Sequence, residues 1–326
     1  MLRRDFLASA VLPFLPVASR LQRNIIFGGW LGTNNRRFLA RYKRPYFSQW
    51  DERIKGTGTG KVIMLHPFLE KMKGHPLIPR KQGEVGTCVG VSFASGVDIL
   101  TATQALMMGK PERFIADAAS EIIYAGSRVE CGAGPNQRGD GSVGSWAADW
   151  LMKYGVILRQ VYGNYDFTVY DPKKARSLGR TGCPDDLEEV AKEHPVRTAA
   201  LVRSYQEVID AIANGYPVAM CSDLGFGSSD RYWVRDSEGF LKRTPWDPWM
   251  HAMLLIGFDD AYSRKGVCCW NSWGDVHSGP KRHNQPDGSF WIEKKDIEYG
   301  MKSEDSYALS CYVGYPRVDV PSNIFW

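Results

Sequence analysis

Cys88 stands where a glycine-spaced turn, Gln82-Gly83-Glu84-Val85-Gly86-Thr87, runs into the apolar, small-residue stretch Val89-Gly90-Val91-Ser92-Phe93-Ala94. The first amide N–H groups of a helix have no partners within it and carry the positive end of its dipole, so a thiolate at that junction is stabilised. A cysteine so placed is a nucleophile near neutral pH, provided a base stands beside it. Gln82, six residues earlier, offers a side-chain amide that can aim at the same point. The stretch equally fits a buried cysteine in a core helix.

A base decides between the two. Of the six histidines, His66 and His75 precede the cysteine, His194 lies in a charged loop, and His277 and His283 lie in a polar one. His251 differs, because it opens the apolar run Ala252-Met253-Leu254-Leu255-Ile256-Gly257-Phe258 and would be held rigidly at a strand's edge. A general base also needs a third group to fix its tautomer and orientation. Farther on, Trp270-Asn271-Ser272-Trp273-Gly274 ends another strand-like run. Asn271 can accept from the imidazole, and Trp273 can roof that bond against water.

The order Gln82, Cys88, His251, Asn271-Ser272-Trp273-Gly274 resembles the papain-like cysteine peptidases over roughly residues 79–316. The strand-like Gly288-Ser289-Phe290-Trp291 and the stretch from Gly141 through Tyr154-Gly155-Val156 match as well. The resemblance implies an α+β, two-subdomain fold, with a helical left half, a β-barrel-like right half and the active site in the cleft between them. It implies Cys88 as nucleophile, His251 as base and acid, Asn271 as orienter, and an oxyanion hole from the Gln82 amide and the Cys88 N–H. It further implies a resting thiolate–imidazolium pair, and substrate contacts from Gly141, Ser142, Val143, Gly144, Met250 and Trp273. A disulfide between Cys131 and Cys183 follows from the same resemblance. The activity implied is peptide-bond hydrolysis through a Cys88 thioester (a cysteine endopeptidase, EC 3.4.22.-), with a protein or peptide substrate and no cofactor. The alternatives are a non-catalytic peptide-binding relative and a transglutaminase-like acyl transferase, which completes its triad with an acid rather than an asparagine. The chain departs from the family's pattern at Val85, Thr87, Val89 and Met250, which points to a divergent bacterial branch.

The elements that must position these residues are partly legible. Apolar Val91, Ile99, Leu100 and Leu106 predict a buried helix from Cys88 to about Met108, and a second helical stretch follows near 116–125. Residues 146–154 form a third helix, stopped by Gly155. Residues 160–195 read as an irregular connection. Strands are expected near 196–202, 217–221, 252–258, 266–271 and 289–293, with a helix over 205–214. The divisions expected are a helical subdomain over 78–190, a β subdomain over 191–316, and a tail over 317–326. Gly56-Thr57-Gly58-Thr59-Gly60-Lys61 fails as a phosphate loop and reads as a flexible connector.

Nine of the 41 basic residues and one of the 36 acidic ones fall in the first 50 positions, leaving 32 against 35 in the remainder. That near-neutral body argues against a nucleic-acid partner. Arg3-Arg4-Asp5-Phe6-Leu7 and the apolar run to Ala18 match a twin-arginine export signal ending at Ser19, which predicts a periplasmic or secreted protein, cytoplasmic if the signal is unused. The run, about 13 residues, is too short to span a bilayer, so no stable membrane insertion is expected. Residues 20–77 lack the helical signature of the family's inhibitory segments, so any latency would come from their lying across the cleft. Of the seven cysteines, adjacent Cys268 and Cys269 face opposite sides of a strand, Cys221 and Cys311 lie in or beside apolar strands, and no metal-ligand spacing occurs. Oligomeric state leaves no mark in the sequence.

Overall fold

The computed structural model describes residues 28–32, 46–49, 55–107, 116–226 and 233–312. The export signal expected in residues 1–19, the basic stretch 36–44 and the tail 317–326 lie outside the described residues.

The first regular elements belong to the segment that the sequence left unread. Strand β1 (Val62–Met64) is followed by helix α1 (His66–Lys73), which has Pro67 in its first turn and closes on Gly74 at φ 74°. Helix α2 (Cys88–Met107) buries seventeen residues around its whole circumference. A helix apolar on every side belongs in a core. It is also the one helix among the described residues long and apolar enough to cross a bilayer, and it lies inside the fold. Helices α3 (Ser120–Arg128) and α4 (Gly144–Lys153) pack beside it.

Residues 160–195 are more regular than expected. They hold a hairpin, β2 (Val161–Tyr162) with β3 (Tyr165–Asp166), then α5 (Pro172–Thr181) and α6 (Asp185–Ala191). Asp171 caps α5 by accepting from the Lys173 and Lys174 N–H groups, and Pro172 starts its first turn. The expected disulfide is not formed. Cys131 and Cys183 both remain thiols, and the Cys183 thiol turns onto the Pro184 carbonyl at 3.5 Å instead.

The second half contributes β4 (Val196–Leu201), α7 (Tyr205–Ala213), β5 (Val218–Ser222), β6 (His251–Asp259), β7 (Gly266–Trp270), β8 (Ser289–Glu293), α8 (Lys294–Gly300) and β9 (Tyr307–Tyr312). All pairings are antiparallel, in the order β4-β9-β5-β6-β7-β8, with β1 added beside the distal half of β6. This is an α+β fold. The sheet does not close into the barrel-like half anticipated: its end strands β4 and β8 do not pair, and α2 covers the face of β5, β6 and β9. The Gly56–Lys61 stretch is not a loose connector either. Thr57 Oγ1 and the Gly58 N–H donate to the Asp210 carboxylate at 2.9 and 2.8 Å, and the Gly60 N–H donates to Asp260 at 2.9 Å.

Where α3 meets α4, a Cβ on Gly126 would lie 1.9 Å from the Trp150 ring. Gly126→Ala is expected to lower stability by about 1–3 kcal/mol through overpacking. Equilibrium denaturation checks it, and an unchanged midpoint would contradict this packing.

Candidate active site

Strands β6 and β7 pair with Leu254 opposite Trp270, after a register shift between Leu255 and Gly257. That register sets the head of β6 against the residues just past β7. His251 Nε2 consequently lies 2.8 Å from Asn271 Oδ1. The Trp273 ring stacks on the imidazole with centroids 4.3 Å apart and planes at 28°, forming the roof that the sequence suggested. From the other side, α2 delivers Cys88 at its first turn. The Cys88 Sγ accepts the backbone N–H of Ala252, the residue after His251, at 3.3 Å. Cys88, His251 and Asn271 are all buried.

A backbone group fixes the chemistry of this cluster. The Ser272 N–H donates to Asn271 Oδ1 at 2.8 Å, so the amide oxygen faces His251. His251 Nε2 must then carry the proton that it donates to that oxygen. Its Nδ1 keeps a lone pair, is buried, and has no partner among the described residues. An imidazole with one nitrogen pinned and the other bare can take up a proton at the bare one.

Burial works against the ion pair that the resemblance implied. Burial pushes the Cys88 thiol up to about 11, against the pull of the N–H groups of Ala252, Gly29, Val89 and Cys88 itself. Burial also pushes His251 down to about 4, opposed by its bond to Asn271. Burial thus favours the neutral form of each. The cause is a dry site, since removing water penalises the charged form of each.

Residues 28–32 help to dry it. The Gly29 N–H donates to Cys88 Sγ at 3.2 Å. The Trp30 N–H donates to the Met250 carbonyl at 3.1 Å, and the Leu31 N–H to the Ser142 carbonyl at 2.9 Å. The Ser142 N–H in turn donates to the Gly29 carbonyl at 2.7 Å, giving a parallel bridge between Trp30 and Ser142. The two glycines are sterically required. A Cβ on Gly28 would lie 2.2 Å from the Met250 oxygen, and one on Gly29 would lie 2.1 Å from the Gly86 oxygen. The Trp30 indole N–H reaches the buried Asp305 carboxylate at 2.8 Å, which also accepts the Gly144 and Ser145 N–H groups at 2.7 and 2.8 Å. Burial raises the Asp305 carboxyl to about 7, and those three donors hold it down.

The other expected residues divide. Gln82 is buried beside the site, with its Nε2 donating to the Val85 carbonyl at 3.0 Å and its Oε1 accepting from Ser272 Oγ at 2.6 Å. Of the loop 141–144, Ser142 meets the strap formed by residues 28–32 through its backbone. Gly141 turns its N–H to the Tyr124 hydroxyl at 3.0 Å, Gly144 caps onto Asp305, and Val143 is buried just ahead of α4. Met250 contributes its carbonyl, and Trp273 its ring. Among the described residues, no group of three or more His, Cys, Asp or Glu is placed to hold a metal.

No protein-family model matches the chain, and no curated protein matches its sequence. Solved structures do. A cysteine protease from Xylella fastidiosa, xylellain, superposes at a TM-score of 0.53 with 20% identity, over 79% of this chain and 88% of that one. A procathepsin B from Trypanosoma congolense gives 0.53 at 13% identity, over 87% of this chain and 86% of that one. The ragweed cysteine protease Amb a 11, in its proform, gives 0.52 at 14%, over 86% of this chain and 74% of that one. The fold is papain-like. In that papain-like frame, α2 and the β6–β7 ends are the elements that carry Cys88, His251 and Asn271.

Sequence reasoning missed three contributors to this site: Gly28-Gly29-Trp30, Asp305 and His277. The adjacent glycines before a tryptophan were a usable sign of close backbone approach. Asp305 gave none, because its partners lie far away in sequence. His277 was passed over with the polar loop around it.

The dry thiol gives a pH prediction. Alkylation by iodoacetamide proceeds through the thiolate, so in the resting chain the rate at Cys88 rises about tenfold per pH unit up to its pKa. Gly29→Val cannot fit beneath Gly86, and the rehydrated thiol should titrate lower and react at least about tenfold faster at pH 7. An alkylation rate equal to wild type would contradict the role of residues 28–32 in shielding the sulfur.

Proposed function

We propose that this chain is a cysteine peptidase whose cleft is covered by its own residues 28–32. The observation that carries the reading is the convergence on one buried point of a helix-N-terminal thiol, an imidazole with a bare Nδ1, and a carboxamide that fixes the ring. A binding module needs none of the three. The amide at position 271, in place of a carboxylate, favours hydrolysis over transglutaminase-like transfer.

When the strap leaves and water or substrate enters, the desolvation penalty on both ions falls, and the proton can pass from Cys88 to His251 Nδ1. The thiolate attacks a peptide carbonyl, forming an S–C bond and an oxyanion. The N–H groups at the start of α2, with the Gln82 carboxamide, are proposed to receive that charge. His251 then protonates the leaving amine as the C–N bond breaks, and the thioester remains on Cys88. Water, deprotonated by His251, hydrolyses it and restores the thiol. Asn271 keeps its oxygen on the imidazolium throughout, under the Trp273 ring.

The strap supports the same reading from the ligand's side. It holds an extended backbone between the Met250 carbonyl and both backbone groups of Ser142, a grip that any peptide main chain satisfies. Its Gly29 N–H meets the sulfur and so occupies the place a ligand would take. The paired arginines at 3 and 4 support export of the chain before use.

A peptide-library assay on the full chain carrying Gly29→Val tests the assignment. Cys88→Ala should abolish hydrolysis, and Gln82→Ala should lower kcat by about 10²-fold without unfolding the protein. Full rate in the Cys88→Ala variant would overturn the reading. Full rate in Gln82→Ala would remove Gln82 from the oxyanion hole alone.

A further inference from the structure

We propose that His277 is a positioning residue for this site: it accepts the carboxamide N–H of Asn271 and so holds Asn271 and His251 in their working hydrogen-bond pattern. The proposal deepens the peptidase reading and rests on it.

The placement of protons leads to it. Asn271 Oδ1 receives the Ser272 N–H and His251 Nε2, both at 2.8 Å. A turned-over amide would set its NH2 group against the Ser272 N–H, two donors facing each other. The Nδ2 therefore points the other way, where it lies 3.2 Å from His277 Nε2. An amide nitrogen donates only, so His277 Nε2 must be bare and its proton must sit on Nδ1. One backbone N–H thus dictates opposite tautomers for two histidines: Nε2–H in His251 and Nδ1–H in His277.

The seat of His277 is rigid. The ring is buried, stacks on Trp233 at 5.8 Å and 27°, and meets the Phe290 ring edge-on at 4.7 Å. Backbone bonds from the Ser278 N–H to the Trp233 carbonyl (3.1 Å) and from the Arg235 N–H to the Ser278 carbonyl (2.8 Å) hold the loop around it. Burial, the Arg235 charge and the neighbouring His251 lower its pKa to about 3, while its buried Nδ1 makes no hydrogen bond among the described residues. His277 thus stays an acceptor when His251 becomes an imidazolium. In a chain of hydrogen bonds each link polarises the next, so the Nδ2–H···Nε2 bond makes Asn271 Oδ1 a better acceptor for that imidazolium. An apolar residue at 277 would leave a buried N–H unpaired and the carboxamide less firmly held.

A histidine that merely fills the space between Trp233 and Phe290 would be replaceable by phenylalanine. The test compares His277→Phe, which fills the space without an acceptor, with His277→Gln, whose side-chain oxygen can take the same N–H. Both are made in the full chain carrying Gly29→Val. We expect His277→Phe to lower kcat about tenfold with KM little changed. The basic limb of its pH–rate profile should move to lower pH, because the imidazolium is less well supported. His277→Gln should recover most of both. A Phe variant with wild-type kcat and limb, or a Gln variant no better than Phe, would overturn the proposal. Nitrogen-15 NMR of the histidine rings in the resting full-length protein decides it independently of turnover and of how the variants fold. Protonated Nδ1 with bare Nε2 at His277 upholds it, and the reverse tautomer overturns it. If no peptide is cleaved, the peptidase reading fails, while the tautomer measurement still decides whether His277 accepts from Asn271.

Discussion

The register between β6 and β7 is the constraint on which the site depends. Leu254 opposite Trp270 sets the head of one strand beside the end of the other, so a ring at 251, a carboxamide at 271 and an indole at 273 share one small volume. A slip of one residue would send each side chain to the opposite face. The apolar run after His251 prevents it, because β6 is buried along its full length, between β5 and β1 on one side and β7 on the other. The helix that carries Cys88 packs across this same part of the sheet. Core packing and site geometry are thus one problem with one solution.

Burial then determines the chemistry. Burial favours the neutral forms of the groups that would form an ion pair in an open cleft, raising the thiol and lowering the imidazole, and residues 28–32 are part of what excludes water. On the proposed reading, latency and activity differ less in where the residues sit than in whether the solvent reaches them. The strap needs no inhibitory helix for this. Two glycines that pass between backbone carbonyls, a ladder to Ser142 and an indole anchored on Asp305 suffice.

The sequence exposed those features that depend on local pattern. The helix after Cys88, the strands at 196, 218, 251, 266 and 289, and the pairing of His251 with Asn271 were legible because each carries its own apolar run or stop. The helices over 172–191 were hidden by their polar composition, although Asp171-Pro172 was a start signal. Strand β1 is only three residues long and has meaning only beside β6. The open sheet and the unformed Cys131–Cys183 bridge depend on which distant segments meet, which no local pattern encodes, and of the strap only its paired glycines were a local sign. Ser272 is the instructive case: its side chain meets Gln82, but its backbone N–H, invisible to any reading of residue types, is what orients Asn271.

Once the strap is displaced, Cys88 and His251 are proposed to act as one thiol–imidazole unit, and the rest of the mechanism follows from that. Treating the Gly29→Val chain with a peptidyl epoxide and mapping the adduct by mass spectrometry tests this most directly. A single adduct on Cys88 is expected, formed rapidly and largely lost in a folded His251→Ala variant. An adduct on another cysteine, or labelling of Cys88 unchanged without His251, would contradict it.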